Sequence, residues 1–195
     1  LNISDNKVTG KTLFVLDADF ASHVMIADNK GQIGVVSLDS NGIEMIDLTT
    51  VDKTRTYKEM HFSDTPIEIL DKTKSSSFAV EMALDAGRII AAADSLGASQ
   101  AMINKAVEYS KERKQFNRVI GSFQAVKHMC AEMAAELEPC YSLVWHAAHS
   151  FDDSSEDARL MACLAKSHIS EVSKMVSKKS TEVHGGMGFT DLLGL

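Results

Sequence analysis

A group of cationic side chains surrounds Arg113, where a long predicted helix ends. A guanidinium group can hold two phosphate oxygens at once, and Phe116, three residues further on, could stack on a purine or flank a flavin. An arginine and an aromatic ring just past a helix end would suit a dinucleotide. The alternative is a solvated helix end, because the helix dipole favours cations near the C-terminus. The members of this group are Lys105, Lys111, Arg113, Lys114 and Arg118.

A second candidate is the glycine-rich run His184-Gly185-Gly186-Met187-Gly188-Phe189. Glycine lets a ligand approach the backbone closely and adopts conformations that other residues avoid. A glycine at the end of a helix is also a common cap, so a ligand site and a simple cap are both open interpretations. The run is not G-x-G-x-x-G and no predicted strand precedes it, which excludes a Rossmann dinucleotide site.

Asp85 and Arg88 form a third candidate, because they lie three residues apart on a predicted helix and can pair on one face. They are either functional or an ordinary ion pair within the helix. The sequence has no P-loop and no H-E-x-x-H motif. No metal site is predicted, because the seven histidines are scattered and lie near no cysteine pair.

The composition limits the classes of function. The 195 residues carry a net charge of −7, which argues against a nucleic-acid-binding protein. No run approaches the roughly 20 apolar residues of a membrane helix, so no membrane insertion is predicted. Cys130, Cys140 and Cys163 are odd in number and lie in predicted helices, which is typical of reduced thiols in a cytoplasmic protein. Because residue 1 is Leu, we expect the chain to be part of a longer protein.

The elements that must position these residues differ between two predicted domains, 1–72 and 73–195. The first domain contains short alternating runs separated by Asp, Asn and Gly, which supply the positive φ of tight turns. Regularly spaced short strands predict an antiparallel barrel or sandwich. The predicted strands cover 12–16, 23–27, 33–38, 43–47 and 56–62.

The second domain is predicted to be helical, because its apolar residues recur every three or four positions. The three predicted helices end near residues 113, 150 and 184. Residues 75–77 are candidate caps for the first helix, and Ser154 or Ser155 for the third; Pro139 should kink the second helix or mark a turn. The predicted fold class is therefore α+β, a barrel-like β-domain followed by an incomplete up-down helical bundle.

Several segments, in the same order along the chain, resemble the acyl-CoA dehydrogenase family. Residues 106–116 and 120–126 are similar to its signature A-x-x-Y-x-x-x-R-x-x-F-G, followed after a short gap by F/H-Q. Residues 183–189 are similar to its Q-x-x-G-G-x-G-F element, residues 84–88 to a helix segment before an Ala-rich run, and residues 8–15 to the start of its β-domain. The resemblance covers nearly the whole chain.

This resemblance implies an FAD-dependent oxidoreductase of fatty acid metabolism and lipid degradation that desaturates the Cα–Cβ bond of an acyl-CoA thioester. The family has an N-terminal helical domain, a middle β-domain and a C-terminal four-helix bundle, and this chain would hold most of the second and much of the third. A carboxylate takes the α-proton and the flavin takes the β-hydride. The resemblance further implies an electron-transfer flavoprotein as acceptor and a homo- or heterotetramer.

The resemblance also assigns eight residues to FAD, which a neighbouring subunit would mainly hold. Those at the end of the first long helix would contact its pyrophosphate and adenine, the paired glycines would let the backbone approach it, and an aromatic ring would lie beside the flavin. The assigned residues are Arg113, Gln115, Phe116, Gln124, Glu182, Gly185, Gly186 and Phe14. Arg88 would lie near the reacting acyl group.

Three residues depart from the family pattern. Glu182 replaces the usual Gln, and a carboxylate there would repel phosphate unless it were neutralised or turned away. Leu16 replaces a Ser or Thr that many members use to hydrogen-bond the flavin, and Asn117 replaces a Gly.

The resemblance assigns no catalytic base to a residue of this chain. Some members of the family carry the base at the position of Gly87, which cannot serve, and others carry it beyond Leu195. Asp85 is a weak candidate, because it would pair with Arg88. The alternative to a desaturating enzyme is a non-catalytic partner subunit that completes the FAD site of a heteromeric acyl-CoA dehydrogenase.

Overall fold

The structure, a computed structural model, describes residues 1–70, 76–190 and 192–194. The chain forms two compact units, Leu1–Met82 and Ala83–Leu195. The predicted domain boundary at residues 72 and 73, and the candidate cap Ser75, lie outside the described residues. Antiparallel sheets precede long helices along the chain, in agreement with the predicted α+β class.

Two antiparallel sheets form the first unit. One has the strand order β1-β2-β6-β5 and the other β3-β4-β7. Among the described residues the two sheets stay open, so the predicted strands do not close into a barrel. The strands are β1 (Asn2–Ser4), β2 (Lys7–Leu16), β3 (His23–Ala27), β4 (Ile33–Ser37), β5 (Ile43–Asp47), β6 (Tyr57–Pro66) and β7 (Glu68–Ile69).

Alternation of apolar and polar residues positions these strands. The side chains of Val8, Met60 and Phe62 are buried, while their neighbours along β2 and β6 point towards solvent or to partly covered faces. The turn before β5 requires glycine, because Gly42 has φ +86° and an added Cβ would lie 2.3 Å from the carbonyl oxygen of Ser63.

Lys58 ties β6 to its surroundings. Its ammonium group lies 2.7 Å from the carboxylate of Asp19 and also contacts Asp47 on β5. Both hydrogen bonds raise the pKa of Lys58, and the bond with Asp19 has the larger effect.

Three long helices form most of the second unit: α1 (Ser76–Glu112), α2 (Gln124–Asp152) and α3 (Ala158–His184). Their buried apolar residues recur at helical spacing and form one core. Across the described ranges, no helix combines the length and apolar character needed to cross a membrane. The core includes Ile89, Leu96, Ile103, Met133, Leu137, Val144, Ile169, Val172 and Val176.

Pro139 does not end α2, although proline removes one backbone hydrogen bond and crowds the preceding turn. The proline is exposed, whereas Met133, Leu137, Cys140 and Val144 continue the buried stripe on both sides of it. Packing of this stripe therefore outweighs the local cost, and the predicted turn is absent.

The prediction that Ser154 or Ser155 caps α3 is wrong. Asp157 precedes α3 and forms no side-chain cap. Ser154 has φ +51°, and the backbone N–H groups of Ser154 and Ser155 donate to the carbonyl oxygens of Phe151 and Ser150. This is the Schellman pattern of a helix C-terminus, so these serines close α2.

Candidate functional site

A cavity of about 400 Å³ lies beside the end of α1 and the end of α3. Pockets for small ligands commonly have about 300 to 1,000 Å³. The cavity brings together four of the predicted site residues, Arg113, Gln115, Gly185 and Gly186, although they come from segments about 70 positions apart in sequence. The other lining residues are Tyr109, Ile120, Val183, His184 and Met187.

A short hairpin fixes the backbone of Arg113. The Arg113 N–H donates to the carbonyl oxygen of Tyr109 at 2.9 Å, and its own carbonyl oxygen accepts from the N–H of Ile120 at 2.8 Å. Strands β8 (Lys114–Gln115) and β9 (Arg118–Val119) pair between these contacts.

The guanidinium group of Arg113 is exposed and forms no ion pair or hydrogen bond within the described ranges. By contrast, the neighbouring Lys111 pairs with Glu108 at 2.6 Å. Arg113 therefore combines a fixed backbone with a side chain whose donors are available to a ligand. A guanidinium group in that condition suits a phosphate.

The two glycines leave open space on the other wall of the cavity. Gly185 follows α3 with φ +60°, and its N–H donates to the carbonyl oxygen of Glu182, so the predicted end of the helix is confirmed. An added Cβ at Gly185 or Gly186 would meet nothing within 4 Å. Close approach of a ligand to this backbone is therefore possible.

Tyr109 and His184 line the same cavity. The sequence analysis placed them in the family-like segment and the glycine-rich run, but it assigned neither residue to FAD. Their rings lie 4.5 Å apart between centroids, with an angle of 31° between the planes. His184 is 4% exposed, and its Nδ1 lies 2.7 Å from the carbonyl oxygen of Ser180. A signal was available, because Tyr109 lies one turn before Arg113 and His184 directly precedes Gly185.

Phe116 and Gln124 do not line the cavity. Phe116 is 87% exposed and lies in an edge contact with Phe123, 6.1 Å between centroids. The guanidinium carbon of Arg118 lies 3.8 Å from the centre of the Phe123 ring, a cation–π distance. Gln124 is the exposed first residue of α2. Phe116, Phe123 and Arg118 thus contact one another outside the cavity.

Glu182 also lies outside the cavity lining. It is exposed and lines another surface depression with Lys174, Lys178 and Lys179 on α3. Glu171 and Met175 complete that depression, and Lys174 and Lys179 pair with Glu171 and Glu132. The carboxylate that replaces the usual glutamine therefore lies apart from the Arg113 cavity.

Phe14 lies in the first unit, at an irregularity in the pairing of β2 with β6 between Thr12 and Val15. Its φ is +58°, its side chain is 63% exposed, and its ring makes an edge contact with Tyr57 at 6.3 Å. A β-bulge of this kind redirects a side chain out of the sheet. Leu16, at the end of the same strand, is also exposed.

The predicted pairing of Asp85 with Arg88 is confirmed, since Arg88 Nη1 donates to Asp85 Oδ1. The Asp85 side chain is 10% exposed and that of Arg88 32%. Gly87 lies between them on α1 with nothing within 4 Å of an added Cβ. In the part of the chain that the structure describes, no three His, Cys, Asp or Glu side chains are grouped as metal ligands.

Comparison with known proteins identifies the family. The model of the acyl-CoA dehydrogenase C-terminal domain matches residues 78–195. Caffeyl-CoA reductase-Etf complex subunit CarC of Acetobacterium woodii is 31% identical over 180 residues, which cover 92% of this chain and 43% of that protein. The 3-(aryl)acrylate reductase of Clostridium sporogenes is 31% identical over 187 residues, 96% of this chain and 48% of that protein.

A solved structure has the same fold as this chain. Butyryl-CoA dehydrogenase from Megasphaera elsdenii superimposes with a TM-score of 0.86 over 96% of this chain and 53% of that one, at 24% identity. This likeness confirms the predicted fold. The chain spans less than half the length of the two reductases. With more than half of its residues matched by the family model, the chain belongs to the acyl-CoA dehydrogenase family.

Proposed function

We propose that the chain is part of an FAD-dependent acyl-CoA dehydrogenase, in which the Arg113 cavity binds the diphosphate of FAD. The observation that carries this proposal is the unpaired guanidinium of Arg113 opposite the open backbone of Gly185 and Gly186. When bound, FAD supplies the acceptor for the β-hydride of an acyl-CoA thioester.

The lining residues fit the diphosphate of FAD. Arg113 provides charge-assisted donors for its oxygens, and the absence of side chains at Gly185 and Gly186 leaves room for it. The amide Nε2 of Gln115 donates to the carbonyl oxygen of Lys114 at 2.8 Å, which leaves Oε1 for a ligand. Glu182 lines a different surface depression, so its carboxylate is not part of the cavity lining.

The substrate side of the proposal rests on Asp85 and Arg88. Asp85 is mostly buried and holds the guanidinium of Arg88. In the proposed enzyme this pairing orients Arg88 beside the acyl group. It also occupies the carboxylate of Asp85, which therefore does not act as the base.

A non-catalytic partner subunit is the second candidate. It is favoured by one observation: the described part of α1 offers Gly87 where some members of the family carry the base, and the nearby Asp85 is engaged by Arg88. In that case the chain would complete the FAD site of an unlike subunit.

FAD binding by the purified chain tests the cavity. Replacing Arg113 with Ala should weaken FAD binding about ten- to hundredfold, since hydrogen bonds to charged groups contribute about 1.5–3 kcal/mol. Isothermal titration measures the affinity, and Arg55→Ala, an exposed arginine of the first unit, is the matched control. Unchanged affinity in Arg113→Ala, or an equal loss in Arg55→Ala, would contradict the proposal.

Anaerobic addition of acyl-CoA separates the two candidates. Bleaching of the flavin absorbance indicates the dehydrogenase, whereas bound flavin that no thioester bleaches indicates the partner subunit. Because two relatives are named reductases, the reverse reaction is followed by oxidation of reduced flavin with an enoyl-CoA.

A further inference from the structure

Nε2 of His184 forms no hydrogen bond within the described residues. Its Nδ1 lies 2.7 Å from the carbonyl oxygen of Ser180. A carbonyl oxygen only accepts hydrogen bonds, so Nδ1 carries the hydrogen. In the neutral ring, the lone pair is therefore on Nε2.

The ring of His184 is held in one orientation from two sides. Tyr109 on α1 packs against it with 4.5 Å between centroids. Ser180, whose carbonyl binds Nδ1, is fully buried, and its hydroxyl donates to the carbonyl oxygen of Met102 on α1 at 3.0 Å. The orientation of Nε2 is thus fixed by α1 and α3 together, in a ring that is 4% exposed and lines the cavity.

The lone pair on Nε2 of His184 affects which ligands are complementary to the cavity. The guanidinium of Arg113 has donors only, and these match phosphate oxygens. A fully ionised inorganic diphosphate, as present at alkaline pH, has acceptors only and leaves Nε2 of His184 without a partner. A phosphate ester that also carries a hydroxyl group offers acceptors to Arg113 and a donor to His184. A ligand that covers this nitrogen and excludes water from it without donating a hydrogen bond leaves a polar atom unpaired, which is costly, so the second ligand is preferred.

We infer that Nε2 of His184 accepts a hydrogen bond from a hydroxyl group of the ligand whose phosphate Arg113 binds. His184 is then a specificity residue that selects a hydroxyl-bearing nucleotide over bare diphosphate. The inference rests on the proposed function, because it takes the Arg113 cavity as the phosphate site.

Two substitutions separate the ring nitrogens. Asn at this position keeps a nitrogen near that of Nδ1 and can still donate to Ser180, but it lacks the atom at the place of Nε2. Gln instead places an amide oxygen near Nε2. The affinities of the full chain for ADP and for inorganic pyrophosphate are measured at an alkaline pH that fully ionises pyrophosphate. The variants are His184→Asn, His184→Gln and the control His168→Asn, an exposed histidine of α3.

His184→Asn should weaken ADP binding about three- to tenfold and leave pyrophosphate binding unchanged, while His184→Gln keeps most of the preference for ADP. The His168→Asn control should bind both probes like the unmodified chain. Equal losses for both probes, or equal effects of Asn and Gln, would show that His184 acts through packing and would overturn the inference.

The same titration distinguishes failure of the inference from failure of the proposed function. If Arg113→Ala weakens the binding of both ADP and pyrophosphate but His184→Asn weakens the binding of neither, the proposed phosphate site is supported and the inference about His184 is wrong. If Arg113→Ala changes neither probe, or the unmodified chain binds neither, the proposed function is wrong and the inference fails with it. Nitrogen-15 NMR adds a direct measurement: ADP, unlike pyrophosphate, should shift the Nε2 signal of His184.

Discussion

Two arginines of the second unit differ in what holds them. Arg113 is fixed through its backbone, by Tyr109 and Ile120, and its guanidinium forms no ion pair or hydrogen bond within the described residues. Arg88 is fixed through its side chain, by Asp85. A charged group whose hydrogen bonds are already made inside the protein contributes to structure, whereas one that is positioned but unpaired is available for binding. This difference supports Arg113 as the ligand residue.

At the same scale, the three cysteines should react in order of exposure. Cys163 is exposed, Cys130 is half-buried and Cys140 is buried. Burial raises the pKa of the Cys130 and Cys140 thiols, which lowers their thiolate fraction and hence their reactivity. Iodoacetamide labelling followed by mass spectrometry should modify Cys163 first and Cys140 last. Cys163→Ser should remove the fast phase, and fast labelling of Cys140 in the folded chain would contradict the expectation.

At the scale of elements, shortening a buried side chain of the helical core should strongly lower the free energy of unfolding. Leu137 on α2 is 1% exposed and belongs to the core. Leu137→Ala should lower the free energy of unfolding by about 2–5 kcal/mol, because it removes buried methyl groups and leaves a cavity. Urea denaturation measures the loss. Leu160→Ala on α3, where the leucine is 53% exposed, should change it by less than about 0.5 kcal/mol; equal losses would be inconsistent with the described core.

The elements were largely predictable because their periods are local. Alternation located β3 to β5, and a spacing of three or four located all three helices. Ser154 was misassigned because a serine next to two helix ends does not show in sequence which end it closes. The contact of Tyr109 with His184 joins residues 75 positions apart, and no spacing rule predicts such a pair. The family resemblance identified Arg113, Gln115 and the two glycines of the cavity. The acceptor Nε2 of His184 could be identified only from the structure, which shows that Nδ1 is bound to Ser180.

At the scale of the whole molecule, the chain spans 43% and 48% of the length of its two reductase relatives. The subunit composition of the complete protein is therefore proposed here from the family resemblance. We expect a tetramer with an electron-transfer flavoprotein as redox partner. For the partner-subunit candidate, we expect this tetramer to contain an unlike subunit that carries the complete catalytic site. Native mass spectrometry of the complete protein, co-purified with the products of its neighbouring genes, should show two kinds of subunit. A homotetramer fully loaded with FAD would contradict this expectation.

The tip of the hairpin after α1 has a further consequence. Phe116 and Asn117 have φ of +54° and +62°, the left-handed pair of a two-residue turn for which Asn and Gly are best suited. A bulky residue there costs about 1–2 kcal/mol, and the Phe116 ring gains little burial in return. Selection for folding stability alone would therefore not favour a phenylalanine at this position. A redesign guided only by thermostability would therefore replace Phe116 with a residue suited to the left-handed turn. The stability would increase, but the exposed aromatic ring at the hairpin tip would be lost.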